Sequence, residues 1–354
     1  MLVARSGLRV SARFIVVLYA GHWKMEDLPR ATMDKVVYRL CFEFICFLKD
    51  HIPESLHYQW RYFRAHGRLC NFQNPRRFSE KIYHRMRFPL ADFSRLADKV
   101  VVRDYIRDTV GDQFNVPLYI AVTKVVPELF DVLPSAFVMK CNNACGTTRV
   151  VLDKASEDIH SLVDLANSWL QRDFSRCNGE RHYRSITPQI LFEKALLIEG
   201  RPAADYKVHV FNPAEGDAYC FLQVIGDRFG QITQNLYSTD WMVTAFKLGG
   251  RLPPSTCPSI TMPPAQLPQM LDAAKRLAKP FGYCRVDFYV HDGNAYVGEL
   301  TFTPGAGRCV FHPAQWDWTL GAKFRWPETL ELPSPSIPMP GVTEVQSSGD
   351  QQLA

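Results

Sequence analysis

The sequence predicts an α+β protein in which a helical, basic N-terminal part is followed by lobes built on antiparallel sheets. Three observations carry that prediction. Apolar residues recur at helix spacing in the first hundred or so residues, as at Val37, Leu40, Cys41, Phe44 and Phe47. Beyond Gly111 the pattern breaks into short runs of strand type. The stretch Arg285-Val-Asp-Phe-Tyr-Val-His-Asp-Gly-Asn-Ala-Tyr-Val-Gly-Glu-Leu-Thr301 reads as a β-hairpin carrying two carboxylates inside otherwise apolar strands.

In chain order, residues 34–66 read as helical and Asn74-Pro75 breaks the chain. Two further helices follow, Ser79–Arg87 with Ser79 as its cap and Ser94–Thr109. Strands are expected at Val116–Thr123, Phe137–Cys141, Thr148–Leu152, Gln189–Lys194, Lys207–Asn212 and Ala218–Ile225, with one helix, Ile159–Phe174, among them. A Pro-rich connector, Pro253 to Pro268, leads into a helix at Leu267–Ala278 and then the hairpin. From Leu332 the chain turns to Pro, Ser, Gly and Gln with few apolar residues, the composition of a disordered tail. The expected divisions are a basic extension over 1–73, an N-terminal lobe over 74–135, a central lobe over 136–196, a C-terminal lobe over 197–331 and the tail over 332–354.

With 354 residues and 47% hydrophobic content, the chain can bury the core of two or three lobes. No apolar run approaches the roughly 20 residues that span a bilayer. Phe14–Ala20, preceded by Arg5, Arg9 and Arg13, has something of a secretory signal, but Leu18-Tyr-Ala20 is a poor cleavage site. Met25 could equally be the start. Ten cysteines are scattered with no CxxC pair, which argues against a zinc knuckle or a disulfide scaffold and for reduced thiols in the cytoplasm. The net charge of +5 is uneven: residues 1–100 hold 18 Lys+Arg against 9 Asp+Glu, so they carry +9 and the remainder −4. The arginines from Arg61 to Arg87 interleave with Tyr58, Trp60, Tyr62, Phe63 and Phe72. Such a patch suits an acidic polymer, a phospholipid surface or nucleic acid, or is a solvated helix face.

Buried acids need partners, so the register of the hairpin matters. A two-residue Asp292-Gly293 turn would pair Asp287 with Gly298 and send Glu299 to the opposite face. A three-residue loop, ending with Gly293 or Asn294 in the left-handed region, would gather Arg285, Asp287, Glu299 and Thr301 on one surface. Two carboxylates, a hydroxyl and a guanidinium would then form a hard-cation site with an anion clamp, a set that suits magnesium and phosphate. The alternative is a hairpin with a solvated charged face.

Other positions offer related chemistry. Lys140 ends an apolar strand and leads into Cys141-Asn-Asn-Ala-Cys-Gly-Thr-Thr148, whose small residues, among them Asn142, Gly146 and Thr147, would let backbone N–H groups approach a polyphosphate. Walker-type spacing is absent, and an ordinary hairpin connection explains the loop equally well. Leu191-Phe-Glu-Lys-Ala-Leu196 places Glu193 at the end of a buried strand, followed by Lys194 to Leu196, whose backbone could pair with a purine edge. Lys207 begins the next strand, and Asp98, Lys99 and Arg103 precede the strand-rich part.

The order of these positions resembles the ATP-grasp superfamily, in which two α+β lobes with antiparallel sheets enclose a nucleotide cleft. More narrowly, the chain looks like the TupA-like ATP-grasp family found with bacterial surface-polysaccharide genes. The phrases that carry the resemblance are Asn74-Pro-Arg-Arg-Phe-Ser-Glu-Lys81, Ala97-Asp-Lys99, Phe137-Val-Met-Lys-Cys-Asn142, Asp227-Arg-Phe229, Arg285-Val-Asp-Phe-Tyr289, Gly298-Glu-Leu-Thr-Phe-Thr-Pro-Gly305 and Phe311-His-Pro-Ala-Gln-Trp-Asp317.

The resemblance implies that Lys99 and Lys140 contact the phosphates of ATP, that Glu193 and the backbone through Leu196 hold adenosine, and that Asp287 and Glu299 hold Mg2+. Thr301 stands where an asparagine usually completes the metal set, and the loop at Ala144 and Cys145 is poorer in glycine than its relatives. Arg285 and Lys207 would neutralise charge as a phosphoryl group moves to a carboxylate. The implied activity is an ATP- and magnesium-dependent carboxylate-amine ligase acting on a cell-surface glycan or its precursor. The partners would be a glycan carboxylate and an amine donor, with no nucleic acid. The expected place is the cytoplasm, including peripheral contact with the inner membrane. The competing readings are a glycan kinase or glycosyltransferase, and a non-catalytic nucleotide binder.

Overall fold

The structure, a computed structural model, describes residues 53–328 except 145, 176–178, 227–232 and 250–261. The expectations for residues 34–52, for most of the Pro-rich connector and for the tail lie outside the described residues. Residues Tyr58–Ala354 form one unit by their internal contacts, and it contains every candidate position above.

Four helices lead the described residues: α1 (Glu54–His66), α2 (Phe78–Arg87), α3 (Ala91–Ala97) and α4 (Val102–Val110). Ser79 is not the cap of α2. The Glu80 carboxylate closes that end by accepting from the backbone N–H of Arg76 and Arg77 at 2.9 and 3.0 Å, while Ser79 turns inward to the buried Asp317. The single helix expected over Ser94–Thr109 is two, broken at Asp98, whose backbone is extended and whose Oδ1 accepts from Val100 N at 2.8 Å. A short polar side chain that satisfies the first N–H groups of a new turn competes with helix continuation.

A four-stranded antiparallel sheet in the order β1-β4-β2-β3 is formed by β1 (Leu118–Val122), from the segment expected in the N-terminal lobe, with β2 (Phe137–Cys141), β3 (Thr148–Val151) and β4 (Ile190–Lys194). Phe137, Met139, Cys141, Ile190 and Phe192 bury one face against α5 (Ile159–Leu170), through Leu162, Ala166 and Trp169. The period of two therefore turns Val138, Lys140, Leu191 and Glu193 to the other face.

A small hairpin, β5 (Leu197–Ile198) and β6 (Arg201–Pro202), leads to a five-stranded antiparallel sheet. Its order is β12-β11-β7-β8-β9, with β7 (Asp205–Phe211), β8 (Tyr219–Gly226), β9 (Thr233–Tyr237), β11 (Tyr283–His291) and β12 (Asn294–Thr301). Val208, Val210, Val286 and Phe288 pack against α4 and α6 (Leu267–Ala278). An aromatic cluster centred on Phe78 fills the space against α2, β13 (Val310–His312) and α7 (Gln315–Ala322), and β13 pairs with β10 (Lys247–Gly249). Strands β5, β6, β9, β10 and β13 and helix α7 carry too few residues of either period to stand out in the sequence. Among the described residues, no helix is long and apolar enough to cross a membrane.

Candidate functional site

The hairpin settles its register in a way that loop length alone does not foresee. His291 pairs with Asn294, so the turn is the two-residue Asp292-Gly293 connection, with φ of 49° and 74°. These positive values suit the twist of a tight hairpin. Carried along the strands unchanged, that register would separate the two acids. A β-bulge between Phe288↔Val297 and Asp287↔Glu299 leaves Gly298 unmatched and shifts the register by one. Asp287 thus faces Glu299 and Arg285 faces Thr301, the grouping that a three-residue loop was expected to produce. The sequence contains the signal. Ala295 and Val297 are buried before the bulge, and Leu300 and Phe302 after it, so the apolar alternation changes phase between Val297 and Leu300.

On this surface the Arg285 guanidinium is the centre. Its Nε donates to Asp287 Oδ1 at 2.6 Å, and its Nη2 donates to Asp287 Oδ2 at 2.8 Å, Glu299 Oε1 at 3.1 Å and Thr301 Oγ1 at 2.9 Å. Lys207, brought alongside by the Asp287↔Lys207 pairing of β11 with β7, lies 2.5 Å from Asp287 and 2.7 Å from Asp205. Burial disfavours the Lys207 ammonium, but Asp205 and Asp287 outweigh it and raise its pKa. Burial likewise opposes charge on Glu299, yet Lys99, Arg285 and Lys207 hold its carboxyl well below the ordinary range.

The other wall is the polar face of the four-stranded sheet. Lys140 Nζ lies 2.6 Å from Glu193 Oε2, across the diagonal of the β2-β4 pair. The segment entering α4 joins the walls: Lys99 donates to Ala144 O at 2.8 Å and lies 3.8 Å from Glu299, and Arg103, four residues on, lies 3.5 Å from Glu193. Arg103 adds to the site a cation that the resemblance did not single out.

The remaining predicted positions divide. Gly146 is exposed, with φ of 83° and open space where a Cβ would project. Thr147 is buried, and its hydroxyl has no partner among the described residues. Asn142 is fully buried and its side chain is already engaged: Nδ2 donates to Asp98 Oδ1 and to Thr187 O, both at 3.0 Å, and Oδ1 accepts from Gln189 N at 2.8 Å. It ties the phosphate-type loop to the α3–α4 junction and to the approach to β4. Lys194 lies on the face of β4 opposite Glu193, so only its backbone belongs to the linker, and the Leu196 carbonyl accepts from Ala203 N at 3.0 Å.

Two buried groups were not visible in the sequence. His209, two residues along β7 from Lys207, links Tyr283 to Gln223, and Gln223 donates to Gln234. Burial, with Arg285 beside it, holds the His209 imidazole well below its usual pKa, so the ring is neutral. Glu180 accepts from Thr303, two residues past Thr301, at 2.5 Å. Neither lies in a recognisable motif, because each acquires its partner from a distant segment.

The donor chemistry fits a magnesium-bound nucleotide. One guanidinium nitrogen collects oxygens from Asp287, Glu299 and Thr301, a convergent set of the hard donors magnesium takes. Among the described residues no group of three or more His, Cys, Asp and Glu side chains is placed to hold a metal ion. Phosphate oxygens and water would therefore complete the shell. The unpartnered Thr147 hydroxyl and the Lys99 and Lys140 cations are suited to phosphate.

The sequence profile of the TupA-like ATP-grasp family matches residues 80–325. No curated protein matches. Among solved structures, D-alanine–D-alanine ligase from Helicobacter pylori aligns at 14% identity and a TM-score of 0.42, over 65% of this chain and 61% of that one. The ADP complex of N5-carboxyaminoimidazole ribonucleotide synthetase aligns at 16% and 0.39, over 60% and 46%. D-alanine–D-alanine ligase from Bacillus anthracis complexed with ATP aligns at 18% and 0.35, over 60% and 55%. This chain thus covers only about half to three-fifths of each.

Proposed function

The chain belongs to the TupA-like ATP-grasp family, and from that premise we propose that it is an ATP- and magnesium-dependent ligase. It would join an amine to a carboxylate of a cell-surface glycan or glycan precursor. The γ-phosphoryl group would pass from ATP to a carboxylate oxygen, releasing ADP. The amine nitrogen would then form a bond to the carbonyl carbon while phosphate departs, carrying one of the original carboxylate oxygens.

The observation that carries this reading is the Arg285 side chain, held simultaneously by Asp287, Glu299 and Thr301 and flanked by Lys207. Bringing phosphate and carboxylate together means opposing like charges, worth about 4 kcal/mol at 4 Å and an effective dielectric near 20. Fixed cations aimed at the meeting point reduce that barrier without needing to reorganise. Asp287, Glu299 and Thr301 would hold magnesium, which when bound neutralises phosphate charge. Lys99 and Lys140 would orient the phosphates and Glu193 the ribose. No side-chain nucleophile is required.

The test uses acceptors such as uronic acids labelled with 18O in the carboxylate, together with candidate amines, ATP and magnesium. The expected result is acceptor-dependent release of ADP and of phosphate carrying one 18O atom. Stable phosphorylation of a sugar hydroxyl would replace this reading with a kinase. Transfer from a nucleotide sugar without ATP turnover would replace it with a glycosyltransferase.

A further inference from the structure

The candidate metal donors are already bonded to the chain's own cations. Asp287 accepts from Arg285 Nε at Oδ1, 2.6 Å away, and from both Arg285 Nη2 and Lys207 at Oδ2, 2.8 and 2.5 Å away. Glu299 Oε1 accepts from Arg285 Nη2 at 3.1 Å and from the Thr301 hydroxyl at 3.0 Å. That hydroxyl accepts in turn from Arg285 Nη2 at 2.9 Å, which uses one of its two lone pairs. A metal ion and the guanidinium therefore draw on the same oxygens.

Charge alternates in sign along one continuous chain of contacts, Asp205, Lys207, Asp287, Arg285, Glu299 and Lys99. Three carboxylates meet three cations, so the set is formally neutral. The other wall has the same character, with Glu193 between Lys140 and Arg103. Asp205 and Asp287 are buried, and the Lys207 and Arg285 side chains are only 13% and 11% exposed. Separating charges at such depth is costly unless each finds a new partner. A divalent cation arriving by itself would have to push the guanidinium off the carboxylates. A polyphosphate arriving by itself would draw Arg285 and Lys207 away and leave Asp287 beside Glu299 uncompensated. When both arrive, the metal compensates the carboxylates and the phosphates compensate the side-chain cations.

We propose that Arg285 is an internal counter-cation of the metal donors, withholding Asp287, Glu299 and Thr301 from free divalent metal and yielding them when phosphate takes the guanidinium. Metal and nucleotide are thereby coupled, each raising the affinity of the other by the same factor. This role for Arg285 rests on the nucleotide reading of the cleft, and the two fail differently.

The test is equilibrium dialysis of the full chain against Mn2+, which takes the same carboxylate and water ligands as magnesium, alone and with a non-hydrolysable ATP analogue. Thermal unfolding is followed in parallel. The unaltered chain should retain Mn2+ weakly alone and firmly with the nucleotide. Arg285→Met should bind Mn2+ alone about tenfold or more tightly than the unaltered chain, and Mn2+ alone should raise the melting temperature of this variant only. Adding Glu299→Gln to Arg285→Met should abolish the gain. Should Arg285→Met not fold, Arg285→Lys, with a single nitrogen in place of the fork, should show a smaller gain in the same direction. Normal binding of Mn2+ with nucleotide to the unaltered chain, but no gain for Mn2+ alone in the folded variant, overturns the proposal by itself. So does a gain that survives Glu299→Gln. Failure of the unaltered chain to bind Mn2+ with nucleotide overturns the nucleotide reading, and the proposal with it.

Discussion

Gly298 packs against the ring of Tyr289 so closely that a Cβ there would lie 2.6 Å from Tyr289 Cε2. This contact sits at the unmatched residue of the bulge, and the bulge puts Glu299 opposite Asp287. Gly298→Val should therefore disturb the ring and the register together. The expected outcome is a loss of about 1–3 kcal/mol in urea unfolding, as for other overpacked sites, together with loss of magnesium-dependent nucleotide affinity. Deleting Gly298 removes the unmatched residue and should leave Glu299 opposite Asp287 in regular pairing, so metal-dependent binding is expected to survive. Loss of metal-dependent binding in the deletion variant would show that the pairing of the two acids alone does not make the site.

Asp287→Asn and Glu299→Gln should each weaken magnesium-dependent binding of a non-hydrolysable ATP analogue by tenfold or more, as measured by calorimetry with and without the metal. Magnesium-independent binding should change less, because the phosphate cations Lys99 and Lys140 remain. Unchanged metal dependence in both variants would remove these residues from the metal site.

Asn142→Ala distinguishes a tether from a ligand. Three hydrogen bonds of a fully buried side chain disappear, leaving Gln189 N and Thr187 O without that partner, for a loss of roughly 2–4 kcal/mol. ATP affinity should fall only in the temperature range where the folded population falls. A normal melting temperature with abolished binding would instead make Asn142 a ligand.

Stability should decline between pH 4.5 and about 7 through Glu180. Burial raises its carboxyl from 4.5 to about 7, against the Thr303 hydrogen bond and the fields of Arg308 and Arg61. The folded chain holds this proton more tightly than the unfolded chain, so the stabilisation is fully present below 4.5 and is lost as pH rises through about 7. The difference is of order 3 kcal/mol. Glu180→Gln keeps an acceptor for Thr303 and should flatten this part of the stability profile. An unchanged slope between pH 5 and 7.5 in denaturant titrations would show that Glu180 ionises normally.

Much of the fold was legible because local periodicity was strong. Phe137–Cys141 and Leu267–Ala278 have the boundaries read from the sequence, since each is bounded by turn residues and shows one period throughout. The break at Asp98 was not legible, because its cause is shared between a helix start and Asn142, 44 residues away. In the candidate site, Lys99, Lys140, Glu193, Lys207, Arg285, Asp287, Glu299 and Thr301 could be named from residue type and order. Their pairings depend on strand neighbours far apart in the chain, as when β7 brings Lys207 beside Asp287.

The sequence by itself determined the chemistry of the cleft, because residue types and their order along successive strands already mark out acids, cations and a hydroxyl in alternating positions. It also carried, in the phase change from Val297 to Leu300, the information needed to bring two carboxylates to one face. Only the tertiary structure decided how that happens, and the reason is physical. A two-residue turn fixes the register only locally. A bulge is selected where packing on both faces, Tyr289 over Gly298 on one side and Val297 with Leu300 in the core on the other, is satisfied at once.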